Sequence, residues 1–95
     1  MRIRWLNSGT RSLRSVHAYI ALDNPAAARR VVQHIRASVT RLRTFPRSGR
    51  IGQIPGTMEL VVSNLPYIVV YRIADDAVEI LRVFHTAMDW PPLLQ

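Results

Sequence analysis

The stretch Tyr19-Ile20-Ala21-Leu22-Asp23-Asn24-Pro25-Ala26-Ala27-Ala28 decides the fold. Asp23-Asn24-Pro25 ends one helix and starts the next. Asn24 is a good N-cap, and Pro25, with its fixed φ and no N–H, suits the first helical position. Upstream, Leu13, Val16, His17 and Ile20 recur at helical spacing, which predicts a helix over about 10–22. Asn7-Ser8-Gly9 reads as the break before it, with Thr10 or Ser12 available as a cap. Downstream, Val31, Val32, Ile35, Val39 and Leu42 form an apolar stripe, with Arg29, Arg30, Arg36 and Arg43 mostly on the other face. This predicts a second helix over about 25–44, ending before Pro46 because the residue before a proline avoids the helical region. With almost no linker between them, the two helices must form an antiparallel hairpin.

Outward from the hairpin, the pattern changes from helical to alternating. Arg2–Leu6 alternates Ile3 and Trp5 with arginines and reads as a short strand. Phe45–Gly52 contains two glycines and a proline and reads as a loop. Met58–Ser63, Tyr67–Ile73 and Val78–Phe84 are rich in Val, Ile, Leu and Tyr and read as strands. Asn64-Leu65-Pro66 and Ala74-Asp75-Asp76-Ala77 are their turns, short enough to favour antiparallel pairing. Trp90–Leu94 is a short tail whose prolines oppose a regular strand. The expected architecture over 1–95 is one α+β domain. In it an N-terminal strand precedes a helical hairpin packed on a small, twisted, mainly antiparallel sheet. Leu13, Val16, Ile20, Val31, Ile35, Val39, Leu42, Val69, Tyr71, Ile80 and Val83 are its expected core.

Composition narrows the function. The 95 residues suffice for one core but not for a deep enclosed site. The chain has no cysteine, which excludes disulfides, thiol catalysis and zinc–thiolate sites. The N-terminal MRIRWLNSG lacks the apolar core of a signal peptide, and no apolar run approaches the roughly 20 residues of a membrane helix. A cytoplasmic protein is the expectation. All thirteen basic residues are arginine, and the net charge is +7. Residues 1–50 hold eleven of them and one acid, Asp23, whereas residues 51–95 hold Arg72 and Arg82 against five acids. A basic half of this kind predicts an acidic partner, either nucleic acid or an acidic protein segment.

Several chemistries have no support. Neither G-x-x-x-x-G-K nor G-x-G-x-x-G occurs, H-E-x-x-H is absent, and Asp75 and Asp76 are turn formers rather than a metal pair. No cofactor or metal is expected. His17 and His34 fall on helices and read as surface or boundary residues. His85 follows the last strand directly, near Arg82, where a strand end can present it to a cleft as a proton donor or acceptor. RNA cleavage without metal needs positive groups around the scissile phosphate, and Arg72, Arg82, Tyr71, His85 and Glu59 are the available parts. Arg72 and Arg82 equally suit cross-strand pairing with Glu79 or Glu59.

The chain resembles the RelE/ParE superfamily of bacterial toxins. Residues 19–28 look like the family's helix–helix junction, and Phe45-Pro46-Arg47-Ser48-Gly49-Arg50 like its loop after the second helix. Residues 56–62, 66–72 and 80–85 resemble its sheet, and Asp89-Trp90-Pro91 its C-terminal end. The resemblance implies a growth-inhibiting toxin held by a tightly bound antitoxin. It leaves two mechanisms open, since one fold hosts both. RelE-like members cleave mRNA on the ribosome, and here Arg72, Arg82 and His85 would be the catalytic residues. ParE-like members inhibit DNA gyrase. Ile68 stands where RelE-like nucleases typically carry arginine, Met58 and Met88 stand where close relatives often carry it, and His85-Thr86-Ala87-Met88-Asp89 resembles a ParE-like ending, with Ala87 in place of its usual arginine. These features favour the gyrase-directed branch and an assignment as a non-enzyme. A third reading is a non-toxic corepressor acting with its antitoxin.

The partner follows from the charge and the resemblance together. The antitoxin is expected to contribute an acidic, amphipathic segment along Arg29, Arg36 and Arg43, with a strand added to the sheet as a further possibility, in a hetero-oligomer.

Overall fold

Asn24 does what the sequence reading asks of it. In the computed structural model, which describes residues 1–87, its side chain accepts a hydrogen bond from Ala27 N at 3.0 Å, and Pro25 opens the second helix. The order is β1 (Arg2–Trp5), α1 (Asn7–Ala21), α2 (Pro25–Thr40), a 3₁₀ turn (Arg41–Arg43), β2 (Arg50–Ile51), β3 (Met58–Val61), β4 (Tyr67–Ala74) and β5 (Ala77–His85). The strands form one sheet in the order β1-β5-β4-β3-β2. Every pairing is antiparallel except β1 with β5, which is parallel. The α+β class and the hairpin on a mainly antiparallel sheet are as expected. The readings at Met88, Asp89 and Trp90–Leu94 lie outside the described residues.

The core lies between the hairpin and one face of the sheet. Leu13, Ile35, Val39 and Leu42 pack on Tyr67, Val69, Tyr71, Val78, Ile80 and Val83, all buried. Val16, Ile20 and Val31, expected to be buried, are only half-buried at its margin. A β-bulge explains how Ile80 and Val83, three residues apart, share the hairpin face. Tyr71 pairs with Ile80 and Val70 with Arg82, so Leu81 is the extra residue, and β5 changes phase there. Leu81 packs instead with Ile68, Val70 and Phe84 on the opposite face.

Several boundaries differ from expectation. Asn7-Ser8-Gly9 does not break the chain but forms the first turn of α1, and neither Thr10 nor Ser12 caps it. The cap position is Leu6, without a side-chain bond. Gly9 is needed there because a Cβ would stand 2.4 Å from the Ile80 carbonyl oxygen. The second helix tightens to 3₁₀ at Arg41 instead of running as α-helix to 44. The supposed loop 45–52 contains strand β2, which pairs Arg50 with Glu59 and Ile51 with Met58. The other strand ends move by one or two residues, as frayed ends do. The β4–β5 turn places Asp75 at φ 54°.

Candidate functional site

Three places carry the chemistry. The first is a cleft of about 710 Å³ between α1 and the end of β5. It exists because β1 stops at Trp5, opposite Ile80, and leaves the rest of β5 without a strand on that side, β4 lying on the other. Two serines one helical turn apart substitute for that strand. Ser8 Oγ donates to the Leu81 carbonyl at 2.7 Å, and Ser12 Oγ accepts from Val83 N at 2.8 Å. Val16, Tyr19, Tyr67, Arg82 and His85 line the cleft further along. The His85 ring stands edge-on to Tyr67, 5.3 Å between centroids. Its Nδ1 accepts from Ala87 N at 3.0 Å, so the neutral ring carries its proton on Nε2. Burial raises the Tyr67 phenol above its ordinary value, and the Tyr19 phenol adds to that rise.

The second place is the sheet face opposite the hairpin, where charges are paired. Glu79, nearly buried, accepts from Arg72 Nε at 2.6 Å and from Arg4 across the β1–β5 ladder. These two bonds hold its carboxyl below the usual carboxylate value. Glu59, also buried, accepts from Arg50 Nη2 at 3.0 Å and from Gln53 N at 3.3 Å. Of the cross-strand pairs foreseen in the sequence, Arg72–Glu79 forms, while Glu59 takes Arg50.

The third place is a concavity of about 420 Å³ between β1 and the end of the hairpin, lined by Arg2, Ile3, Trp5, Arg36, Val39 and Arg43. The Arg36 guanidinium lies over the Trp5 ring, 5.5 Å from its centroid. Such a contact orients the cation while leaving its in-plane N–H groups available to a carboxylate.

The structure therefore separates residues that the sequence grouped. Arg82 and His85 line one cleft, but Arg72 does not. Arg72 pairs in register with Glu79 and His85 with Tyr67. The five residue steps along β4 from Tyr67 to Arg72 span roughly 17 Å at 3.3 Å per residue. Arg72 also follows Tyr71, a core residue, and so faces away from the hairpin, whereas His85 packs on Tyr67 on the hairpin side. Arg36 and Arg43 share the third concavity; Arg29, exposed two turns earlier on the helix, does not line it. Sequence reasoning missed Ser8 and Ser12 as edge partners, Trp5 beneath Arg36, and the loop contacts of Tyr71, whose hydroxyl donates to the Pro46 carbonyl and accepts from Gly49 N. Only the spacing of the two serines by four residues signalled any of these. Among the described residues no group of three or more His, Asp or Glu is placed to hold a metal ion. No helix there is long and apolar enough to cross a membrane.

A helical hairpin laid on a sheet of this order is the fold of the RelE/ParE toxins. The chain matches, over residues 3–90, the family model described as the ParE toxin of the type II toxin–antitoxin system parDE. The chain belongs to this family and is the toxin of a type II toxin–antitoxin system. It is 48% identical over 93 residues to "Putative toxin Y4kP" of Sinorhizobium fredii, covering 98% of this chain and 96% of that protein. It is 28% identical over 86 residues to Toxin RelE2 of Caulobacter vibrioides, covering 90% and 96%. Among solved structures, it superposes on a chain of the chromosomal ParDE system from P. aeruginosa with a TM-score of 0.80 at 25% identity, covering 90% and 95%. A chain of the RelBE2 toxin–antitoxin complex from Mycobacterium tuberculosis gives 0.57 at 26% identity, covering 88% of each.

Proposed function

We propose that this toxin acts in the cytoplasm on DNA gyrase and is neutralised by a tightly bound acidic antitoxin. The observation that carries the gyrase reading is the dispersal of Arg72, Arg82 and His85. Metal-free RNA cleavage requires cations and a proton donor to converge on one phosphate. Here Arg72 is committed to Glu79, about 17 Å along the sheet from the level of His85 and on the other face. Glu59 and Glu79 offset part of the positive charge on that face. The match to a ParE toxin model points the same way, and the antitoxin reading draws on the toxin–antitoxin systems among the similar structures.

The test is induction in a host lacking the antitoxin, with translation and gyrase supercoiling followed together. The expected result is growth arrest with supercoiling lost first and mRNA intact. Ribosome-dependent cleavage with normal supercoiling overturns it. The ribosome-dependent nuclease is the second reading, because Arg82 and His85 do share a cleft. On that reading His85→Gln abolishes mRNA cleavage; on the gyrase reading the unmodified toxin cleaves no mRNA at all.

A further inference from the structure

Two groups of arginines stand on and beside the sheet, and they are unlike. Arg4, Arg50 and Arg72 each pair with a buried carboxylate, Glu79 or Glu59. Arg36 and Arg43 have no carboxylate within ion-pair distance among the described residues, and Arg2 reaches Asp76 only at 3.5 Å, with both side chains well exposed. This second group meets in one place. Arg2 of β1, Arg36 of α2 and Arg43 of the 3₁₀ turn line the concavity of about 420 Å³, and among the described residues no acid lines it. Its frame is fixed. Met1 N donates to the Arg43 carbonyl at 3.0 Å and Leu6 N to the Ile80 carbonyl at 3.1 Å, so β1 is anchored at both ends.

Geometry and charge select the ligand. Arg36 and Arg43 are seven residues apart, roughly 10–12 Å along the helix and its 3₁₀ end, so their side chains approach the concavity from opposite ends. Ile3, Trp5 and Val39 supply apolar lining between them, against which charges are less screened than in open water. Arg36 is already oriented over the Trp5 ring and keeps its in-plane N–H groups for an anion. One carboxylate has two oxygens and a single charge, and one guanidinium fork satisfies it. An extended acidic peptide spaces same-side carboxylates roughly 7 Å apart, so few of them enter a volume of this size. Three guanidinium groups around one small concavity call for several charges and many acceptor oxygens held close together. Linked phosphoryl groups provide both, since each carries more acceptor oxygens than a carboxylate and, at a chain end, more charge.

We propose that this concavity binds a short polyphosphate chain of two or three linked phosphoryl groups. Arg36 and Arg43 hold it from its two ends in forked hydrogen bonds, and Arg2 adds charge at the rim. Arg36, already held over Trp5, loses little freedom on binding. Arg29 lies on the same helical stripe but does not line the concavity and takes no part. The chemistry is that of the phosphate chain, whether it is free or carried by a nucleotide. The proposal does not depend on which target the toxin attacks.

The test is titration of inorganic tripolyphosphate into the full free chain, followed by NMR at the amides of Ile3 and Thr40 and at the Trp5 indole N–H. These signals should shift saturably, while that of Ile51 in β2 should not move. Arg36→Gln and Arg43→Gln, exposed positions that leave the core intact, should each raise the Kd at least about tenfold, as loss of a charged hydrogen-bonding partner does. Arg29→Gln removes the same charge from the same stripe and should change the Kd less than about twofold. A capped tetra-aspartate of similar charge should bind at least about tenfold more weakly than tripolyphosphate. ATP separates the two sources of the phosphate chain. Affinity equal to that of tripolyphosphate assigns the chain alone as ligand, and tighter binding assigns a nucleotide. Equal losses for Arg29→Gln and Arg36→Gln overturn the site, because the attraction is then diffuse. Tetra-aspartate binding as tightly as tripolyphosphate overturns the phosphoryl assignment. A DNA duplex that shifts these signals when neither tripolyphosphate nor ATP does so also overturns it, as does no binding of any probe. Growth arrest and supercoiling on induction are read separately, so failure here leaves the toxin reading standing.

Discussion

The two faces of the sheet solve different problems with similar strands. Toward the hairpin, β4 presents Tyr67, Val69 and Tyr71, and β5 presents Val78, Ile80 and Val83. Toward the other side the same strands present Ile68, Val70 and Phe84 together with Arg72 and Glu79. The first face is a packing surface on which shape decides the energy. The second mixes a smaller apolar cluster with charges that must find partners because they are carried close to it. A buried carboxylate without hydrogen bonds would be costly, and Glu59 and Glu79 each have at least two. The contrast teaches that stability should depend chiefly on the hairpin face, and the sign and availability of surface charge on the other.

The largest effect should come from the hairpin face. Ile35, fully buried in α2, loses transfer energy and leaves a cavity when shortened. Ile35→Ala should cost about 2–5 kcal/mol in denaturant unfolding. Val61 on the other face is half exposed, and Val61→Ser should change stability by less than about 0.5 kcal/mol. Equal losses at the two positions would abolish the distinction between the faces.

Next comes Gly9, where two rules conflict. Replacing a helical glycine by alanine usually gains up to about 1 kcal/mol. Here the new Cβ would meet the Ile80 carbonyl oxygen at 2.4 Å, and that oxygen is already bonded to Leu6 N. A backbone atom in a central strand cannot move aside cheaply, so the clash should win. Gly9→Ala should destabilise by about 1–3 kcal/mol. A stabilised protein in thermal melts would mean that α1 is not seated on β5 at this distance.

Tyr71 links the packed face to the loop beyond α2. Its ring is fully buried, and its hydroxyl joins Pro46 O at 2.7 Å and Gly49 N at 3.0 Å. Tyr71→Phe should keep the packing and lose about 1–2 kcal/mol, with faster amide exchange confined to residues 46–50. Burial holds the phenol above its ordinary value of 10.0, against the smaller opposing effects of Gly49 N–H and Arg47. Its contribution is therefore fully present below pH 10 and lost as pH rises through the higher folded value. The substituted chain should lack that alkaline loss.

Local chemistry made the hairpin legible and tertiary contact hid the rest. Asn24-Pro25 states its own conformation, and the stripe from Val31 to Leu42 states its own face. Asn7-Ser8-Gly9 misleads because these residues usually make turns. They are helical here because Gly9 must approach Ile80 and Ser8 must meet Leu81, more than seventy residues away. Arg50-Ile51 was unreadable as a strand because two residues carry no period. For the candidate sites, the spacing of seven between Arg29, Arg36 and Arg43 disclosed a common stripe. That Arg36 and Arg43 alone stand at an open edge depends on β1 pairing in parallel with β5, a long-range fact with no local signature.

The smallest effect should come from the charged face itself. Glu79→Gln preserves shape, and Arg4 and Arg72 each keep about half of their surface in water, so both can rehydrate when the carboxylate charge is removed. The loss at neutral pH should be slight and should fall with added salt. Its signature is its pH dependence. Hydrogen bonds from Arg72 and then Arg4 hold the Glu79 carboxyl below its ordinary value of 4.5. The stability it contributes is present above pH 4.5 and is lost as pH falls through the lower folded value. The melting temperatures of the two chains should therefore differ at pH 7 and converge in stronger acid. The substitution also leaves Arg72 and Arg4 without their shared counter-charge, so the variant should elute later from heparin than the unmodified chain. Unchanged elution, with melting temperatures separated equally at both pH values, would mean that Glu79 fills space on this face and does not govern its charge.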